Sequence, residues 1–313
     1  MTGPARTVFF GSGLFAVPIL AALGRAPEVD LVAVVSAPDR PAGRQGKVTP
    51  GPVVERAREI GLELIQPTRL RSPEVSAAIG ALEPRLGVLA DYGQIVPQEI
   101  LDIFPAGILN VHPSALPRHR GATPVPATIL AGDTQAAVTV IRMDAGLDTG
   151  PIVAAVDWPL AGTETAPELE ATAARFGAEL LGTALGGWLE GSLTARAQDE
   201  ADATLTRPLR REDGRLDPGR GAAALERQVR AYQPWPGSFV EADGRRLVVW
   251  SAEIAPERVG DTPGRLEPDE DGLALTTAGG RLRLLEVQPA GGRRMPTRVL
   301  LRGRPGLAGT PVA

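Results

Sequence analysis

Short apolar runs alternate with segments of helical periodicity along the first part of the chain. Strand-like runs cover residues 7–10, 31–35, 86–90, 108–112 and 138–143, and helical runs cover residues 17–23 and 53–60. Strands separated by helices are typical of βαβ units, whose strands lie parallel in one sheet. The pattern therefore predicts an α/β fold with a doubly wound, largely parallel sheet.

A long amphipathic helix is predicted to close this first domain. Apolar side chains recur at helical spacing within residues 167–189, and Pro167 falls in the first turn, where a missing N–H costs nothing. The polar segment that follows reads as a linker. We therefore place the first domain at residues 1–191 and the linker at residues 192–206.

The C-terminal part of the chain, residues 207–313, carries a different pattern. A short helix is predicted over residues 222–232, and strand-like runs cover residues 237–241, 246–252, 273–277 and 282–288. Glycine-rich segments separate these runs, which predicts a small β-barrel or sandwich.

The amino-acid composition excludes several kinds of catalytic and metal-binding site. The 313 residues are 43% hydrophobic and 22% charged, which is typical of a globular protein, and no apolar run is long enough to cross a membrane. The chain has no cysteine, which excludes disulfides and thiol nucleophiles, and its two histidines make a histidine-rich zinc site nearly impossible. No secretory signal is visible. We expect a cytoplasmic protein without a metal site.

The two parts differ in charge. Residues 1–206 hold 15 basic against 23 acidic side chains, whereas residues 207–313 hold 18 basic against 14 acidic ones. A basic C-terminal module is a mild indication of a polyanionic partner, although local fluctuation of composition would give the same numbers.

A glycine-rich turn, residues 11–16, follows the first strand and precedes a helix, as in dinucleotide-binding proteins. Pro18 inside the helix opening argues against that function. Ser36 stands where an acidic residue would hold a ribose hydroxyl. We therefore interpret these residues as a tight strand-to-helix turn and rank a dinucleotide-dependent reductase last among the candidate functions.

A loop rich in proline and arginine, residues 37–47, follows the second strand. In a doubly wound sheet this loop emerges at the carboxyl edge, where ligands bind. Arg40, Arg44 and Lys47 are cations that could grip phosphates, while an ordinary solvated loop is the competing interpretation. The position of the loop favours anion binding.

Asn110 and His112 are the most informative pair. Side chains two residues apart on a strand share a face, and a buried asparagine needs several hydrogen-bond partners. A turn-rich loop after the strand at 138–143 can bring Asp148 to the same place. An orienting carboxylate, a proton-transfer group and an amide donor suit acyl transfer to a nucleophile that belongs to the substrate.

Two segments carry a resemblance to a known family. Residues 110–124, NVHPSALPRHRGATP, resemble the signature of the formyltransferases that use 10-formyltetrahydrofolate, and residues 144–150, DAGLDTG, resemble that family's second signature. Three further segments resemble the branch that acts on methionyl-tRNA: PDRPAGR at 38–44, ADYGQIVP at 90–97 and RAYQPWPG at 230–237. Ala115, His119 and Gln233 depart from the residues usual in the family.

The resemblance implies a Rossmann-like formyltransferase domain followed by an OB-like, tRNA-binding barrel. It implies 10-formyltetrahydrofolate as co-substrate and initiator methionyl-tRNA as partner of a monomeric enzyme. The implied catalytic residues are Asn110, His112 and Asp148, and Arg40, Arg44 and Lys47 are expected to meet the tRNA. The residues implied to line the folate pocket are Ser114, Ala115, Leu116, Pro117, Asp91, Tyr92, Gly93, Gln94, Ile95 and Val96.

Two competing functions remain compatible with the sequence. One is the same chemistry on a small amine, such as a sugar nucleotide or glycinamide ribonucleotide, against which the basic C-terminal domain argues. The second is a non-catalytic RNA-binding protein on an enzyme scaffold, against which the intact Asn110, His112 and Asp148 argue. His119 lies in an arginine-flanked loop and is expected to contact solvent or RNA.

Overall fold

A computed structural model describes residues 3–42, 47–270 and 272–312, and only the backbone of residues 41, 42 and 47. The chain divides into two compact units. The first comprises residues 1–124, 135–159 and 170–206, and the second comprises residues 125–134, 160–169 and 207–313.

The first unit is built on a seven-stranded sheet with the order β10-β9-β7-β6-β1-β2-β5. Strands β5, β2, β1, β6 and β7 run parallel, whereas β9 and β10 are antiparallel to their neighbours. The strand bounds are β1 Ala5–Gly11, β2 Val29–Val35, β3 Arg40–Ala42, β4 Lys47–Thr49, β5 Glu63–Ile65, β6 Leu86–Ala90, β7 Ile108–His112, β8 Arg120–Gly121, β9 Gln135–Arg142, β10 Ile152–Pro159 and β11 Leu205–Thr206. The predicted α/β architecture with a mainly parallel sheet is confirmed.

Helices of the first unit cover both faces of this sheet. The helix bounds in this part of the chain are α1 Ala16–Leu23, α2 Pro52–Glu59, α3 Pro73–Ala81, α4 Gln98–Leu101, α5 Pro124–Ala131 and α6 Ala166–Glu190, of which α5 and the first turn of α6 belong to the second unit. Successive strand residues point to opposite faces, so Phe9 packs with α1 and Leu181 of α6 on one face, while Phe10 packs with Ile79 and Ile100 on the other. Burial on both faces explains why β1, β6 and β7 are mostly apolar, with Asn110 and His112 of β7 as polar exceptions.

Some elements differ from the sequence-based expectation. The loop predicted at residues 37–47 contains the short strand β3 and ends at the first residue of β4, with which β3 pairs antiparallel. Two further strands were not predicted. Strand β5 has only three residues, and β10, at the edge of the sheet, alternates half-buried and exposed residues after its first two positions.

The segment 196–206, within the predicted linker, makes specific contacts in the first unit. Arg196 and Ile152 exchange backbone hydrogen bonds, and β11 pairs in parallel with β8. A 3₁₀ turn at Glu200–Asp202 lies between them.

The second unit contains a curled antiparallel sheet with the order β12-β13-β16-β15-β14-β18. Val312, beside β18, bridges Ala242 of β12, so the two ends of the sheet meet. Leu225 and Val229 of α7 pack into its core. The bounds are α7 Ala222–Ala231, β12 Ser238–Ala242, β13 Arg245–Ala255, β14 Arg265–Asp269, β15 Gly272–Thr276, β16 Arg281–Pro289, β17 Met295–Pro296, α8 Thr297–Gly303 and β18 Thr310–Pro311. The predicted small C-terminal barrel is confirmed.

Charged side chains also lie inside the second unit. Arg281 is buried, and its Nε donates to Oδ2 of Asp261 at 2.6 Å. This hydrogen bond lowers the pKa of Asp261 to about 2. Asp269 is buried beside them and accepts from Nε of Arg283 at 2.5 Å.

Across the described part of the chain, no helix combines the length and the apolar character needed to cross a membrane.

Candidate active site

Strand β7 presents two polar side chains on one face. Leu109 and Val111 belong to the core on the α6 side, so Asn110 and His112 point to the opposite face of the strand. Each is buried, with 5% of its surface exposed. Buried polar groups need partners, and both side chains find one in the same residue.

That residue is Asp148. Its Oδ1 accepts a hydrogen bond from Nδ2 of Asn110 at 3.0 Å, and its Oδ2 accepts from the backbone N–H of Gly121 at 2.8 Å. Oδ2 also lies 3.7 Å from Nδ1 of His112. Asp148 has φ of +53°, a left-handed conformation that aspartate tolerates better than most residues. The structure thus brings together the three predicted catalytic residues.

The loop that carries Asp148 reaches the site from an unexpected direction. Because β9 is antiparallel to β7, it ends at Arg142 opposite Leu109, near the start of β7. The loop must then fold back along the strand. Gly150 makes this possible, since a Cβ at this position would lie 1.9 Å from the carbonyl oxygen of Arg142.

The second ring nitrogen of His112 contacts a backbone carbonyl. Nε2 lies 3.1 Å from the oxygen of His119, and a carbonyl only accepts, so Nε2 carries the hydrogen in this contact. Nδ1 is therefore the nitrogen that faces the Asp148 carboxylate. The imidazole ring is thus held between the His119 carbonyl and the Asp148 carboxylate.

His119 was expected to contact solvent or RNA, and this expectation is wrong for its side chain. The residue is buried, with 8% of its surface exposed, and its backbone φ is +61°. The flanking arginines suggested an exposed loop, but the loop turns inward to bring the His119 carbonyl to His112.

Residues 114–117 follow β7 directly. Ser114 and Leu116 are buried: the Ser114 hydroxyl donates to the Arg118 carbonyl at 2.7 Å, and Leu116 packs with Ile141 and Ile152. Ala115 is exposed and Pro117 is half-buried. Of these four residues predicted to line the folate pocket, Ser114 and Leu116 hold the loop in place with their side chains, whereas Ala115 and Pro117 contribute to its surface.

Residues 91–96 follow the neighbouring strand β6. Burial raises the pKa of the Tyr92 hydroxyl to about 12, and its ring packs edge-on against Phe10 at 5.9 Å. Gln94 accepts from the backbone N–H of Leu70 at 2.7 Å, and Val96 is in the core. The outward surface of the loop comes from Gly93 and from Ile95, which is 84% exposed.

Asp91 lies against the glycine-rich turn. A Cβ on Gly13 would lie 1.7 Å from Oδ2 of Asp91, and the backbone N–H of Ser12 donates to the Asp91 carbonyl at 3.0 Å. Surrounding protein raises the pKa of the Asp91 carboxyl although other parts of the residue are exposed. Ser36 is buried beside Ser12. A carboxylate and protein contacts fill the place where a dinucleotide would put its phosphates, which argues against the reductase.

Two of the three predicted phosphate-gripping residues lie on the paired strands β3 and β4. Arg40 is exposed at the start of β3, Lys47 begins β4, and Arg44 lies outside the described residues. Asp39 anchors the base of the hairpin by accepting from Nε2 of Gln66 at 2.8 Å, a hydrogen bond that lowers the pKa of Asp39.

Sequence reasoning missed a group of residues behind Asp148. The buried Arg120 side chain donates to Oε1 of Gln198 and to both carboxylate oxygens of Glu200 at 2.8–3.1 Å. Nε2 of Gln198 in turn donates to the carbonyls of Asp148 and Gly150 at 2.8 and 2.7 Å. The polar composition of the segment suggested a linker, and Arg120, which lies between His119 and Gly121 in the first signature, gave no local signal that its side chain is buried.

No cluster of three or more His, Asp or Glu side chains suited to a metal ion occurs within residues 3–42, 47–270 and 272–312.

Both parts of the chain are similar to known protein families. The formyl transferase family model matches residues 5–185, and the model of the formyl transferase C-terminal domain matches residues 208–305. A methionyl-tRNA formyltransferase of Chloroflexus aggregans is 43% identical over 302 residues, covering 95% of this chain and 97% of its own. One of Thermus thermophilus is 44% identical, covering 95% and 96%.

A solved sugar 3N-formyl transferase, studied with dTDP and 5-N-formyl-THF, has the same fold. It has a TM-score of 0.68 and 16% identity, and the alignment covers 93% of this chain and all of that one. The match to both domain models and the identity along nearly the whole chain agree. The chain therefore belongs to the formyl transferase family, on the branch of the methionyl-tRNA formyltransferases.

Proposed function

We propose that this protein transfers the formyl group of 10-formyltetrahydrofolate to the amino group of methionyl-initiator tRNA. The observation that carries the chemistry is the Asp148 carboxylate, which binds Asn110 and faces His112 in a buried site. The identity to methionyl-tRNA formyltransferases across both domains supports the substrate. The sugar N-formyl transferase that shares the fold is only 16% identical, so it supports the fold and not a small amine as substrate.

The residues present fit a folate co-substrate. Loops 91–96 and 113–117 leave neighbouring parallel strands at the same edge of the sheet, and their outward surface is partly apolar at Ile95 and Ala115. A flat heterocycle suits such a surface between two loops. When bound, 10-formyltetrahydrofolate supplies the formyl carbon that the amine attacks.

Each of the three central side chains has a distinct role in this proposal. Nδ2 of Asn110 donates a hydrogen bond to the oxygen on which negative charge develops, an interaction typically worth about 2.7–4 kcal/mol. His112 holds a proton on Nδ1 and releases it towards the leaving nitrogen. Asp148 orients His112 and helps to take the proton from the attacking amine.

Basic residues are assigned to the tRNA. Arg40, Arg44 and Lys47 would contact phosphates of the acceptor stem, and the C-terminal unit, with 18 basic against 14 acidic residues after position 206, would add affinity without reading many bases. A monomeric, cytoplasmic enzyme remains our prediction.

Formyl transfer to charged initiator tRNA tests the proposal directly. Wild type should place label from 10-formyltetrahydrofolate on methionyl-tRNA, and His112→Ala should lower kcat by at least about 100-fold, because it removes the proton-transfer group. Turnover of a small amine without transfer to any tRNA would support the small-amine substrate instead. Binding of tRNA without any transfer would indicate a non-catalytic RNA-binding protein.

A further inference from the structure

We propose that Gln198 is a positioning residue that holds Asp148 in its catalytic conformation, acting from the segment 196–206. The inference rests on the proposed function, because it concerns the same site. Residues 196–206 lie outside both family signatures, and their polar composition does not suggest a role in the reaction. Through Gln198 they nevertheless contribute to it.

Gln198 holds the backbone on both sides of Asp148. Its amide nitrogen donates to the carbonyl of Asp148 at 2.8 Å and to the carbonyl of Gly150 at 2.7 Å. Asp148 needs such support because its left-handed backbone conformation, with φ of +53°, is less stable than an extended or helical one. A single side chain thus fixes the turn from which the carboxylate projects.

Arg120 determines which way the Gln198 amide points. A guanidinium only donates, so the side-chain oxygen of Gln198 must face Arg120, where it accepts from Nε at 3.1 Å and from Nη2 at 2.9 Å. The two N–H groups of the amide then face the carbonyls. Glu200 completes the arrangement by pairing with the same guanidinium, and that hydrogen bond lowers the pKa of Glu200.

The same segment also supports the partner of His112. The hydroxyl of Thr204 accepts from the backbone N–H of His119 at 2.8 Å, and β11 pairs with β8 at Arg120 and Gly121. His119 supplies the carbonyl that binds Nε2 of His112, and Gly121 supplies the N–H that binds Asp148. Both sides of the contact between Asp148 and His112 are therefore held by Gln198, Thr204 and strand β11.

A positioning role predicts an effect on kcat rather than on binding. Misplacement of a catalytic group by about 1 Å can cost on the order of 100-fold in rate. Gln198 is half-buried behind the Asp148 loop and bonds to its backbone rather than to its carboxylate. Loss of its hydrogen bonds should move the carboxylate relative to His112 and leave the substrate-binding surfaces in place.

Gln198→Glu tests this with little change of shape. The carboxylate keeps the length of the side chain and a partner for Arg120, but it has no N–H to give to the two carbonyls. We expect kcat for methionyl-tRNA to fall by about 10- to 100-fold, while KM for either substrate changes by less than about threefold. Asp202→Asn, at an exposed residue of the same segment, is the matched control and should keep wild-type kcat.

Histidine NMR gives a readout that does not depend on turnover. The chain has two histidines, so His119→Gln assigns the imidazole signals of His112. Because Nδ1 of His112 faces the Asp148 carboxylate, Gln198→Glu should shift its ¹⁵Nδ1 resonance, and Asp202→Asn should not. A general loss of stability would instead change the melting temperature.

The outcomes separate the two proposals. A wild-type enzyme that does not formylate methionyl-tRNA overturns the proposed function. An active wild type with unchanged kcat and unchanged His112 signals in folded Gln198→Glu overturns the positioning role alone. Should Gln198→Glu not fold, Glu200→Gln decides, since its side chain is 71% exposed: a lower kcat at an unchanged melting temperature supports the role, and a wild-type kcat overturns it.

Discussion

Each carboxylate oxygen of Asp148 accepts a hydrogen bond, one from Asn110 and one from the backbone N–H of Gly121. An asparagine at this position would have nearly the same shape but no charge. Asparagine tolerates the left-handed backbone and can still accept from Asn110 through its amide oxygen. Asp148→Asn should therefore still fold, but its amide nitrogen would face Nδ1 of His112 and the backbone N–H of Gly121, which loses its acceptor. We expect kcat to fall by about 100- to 10,000-fold and the melting temperature to fall only modestly, since one hydrogen bond is lost. A folded variant with more than a tenth of wild-type kcat would contradict a role for the charge.

At the residue scale, the sequence identified side chains that break a pattern. Asn110 and His112 stand out because they are polar in an apolar strand, and the period of two places them on one face. Gln198 cannot be recognised in this way. It bonds to backbone carbonyls, which every residue has, so the sequence shows no particular residue type at its partners' positions. The inward turn of His119 could not be predicted from the sequence either, because its backbone carbonyl, and not its side chain, contacts His112.

At the element scale, two glycines of helix α6 have opposite surroundings. A Cβ on Gly177 would lie 2.8 Å from Cγ1 of Val111 in β7, whereas nothing lies within 4 Å of a Cβ on Gly182. Gly177→Ala should lower the free energy of unfolding by about 1–3 kcal/mol through overpacking. Gly182→Ala should raise it by about 0.5–1 kcal/mol, because alanine loses less conformational entropy in a helix.

Denaturant unfolding of the two alanine variants and wild type measures both effects. The pair shares one helix and one substitution, so helix propensity cancels in the comparison. Equal stabilities for the two variants would show that α6 does not pack on β7 as closely as the Gly177 contact requires.

Strands and helices with strong periodicity were predictable from sequence, whereas the shortest strands and the reversed direction of β9 were not. The runs that became β1, β2, β6 and β7 lie largely in the core, which makes them mostly apolar. The reversal at β9 depends on the long-range register between Arg142 and Leu109, which no local pattern encodes. The direction from which the Asp148 loop enters the site follows from that reversal.

At the scale of the whole molecule, acid should weaken the second unit through Asp261. Its pKa is about 2 in the folded chain, against about 3.9 for an unperturbed aspartate. A depressed carboxyl pKa contributes stability above the unfolded value, and this contribution is lost as the pH falls from about 4 towards 2. Asp261→Asn should therefore be less stable than wild type at pH 7 and show a shallower loss of stability over that interval.

Melting temperatures measured from pH 7 down to pH 2 test this expectation. Asp243→Asn is the control, because Asp243 is exposed in a turn with φ of +50°, which asparagine accepts. It should follow the wild-type profile. Parallel profiles for wild type and Asp261→Asn would mean that Asp261 does not sense acid in the folded protein.

The two-part organisation of the molecule was visible in the change of pattern and charge after residue 206, whereas the role of the residues just before it was not. Polar composition describes a linker and a hydrogen-bonded segment equally well. What separates them is the set of partners that the segment meets, and those partners lie about 50 to 90 positions away in sequence.

The contacts of Gln198, Thr204 and Thr206 determine where a fragment of this protein can end without losing the support of its active site. The N-terminal family model ends at residue 185, so a fragment designed from it would keep Asn110, His112 and Asp148 but lose the side chains that hold the Asp148 and His119 loops. A recombination breakpoint or an expression boundary at that position separates the reacting groups from their support. A fragment that keeps the reacting groups together with these supporting side chains therefore has to extend at least to Thr206, twenty-one residues beyond the limit of the domain model.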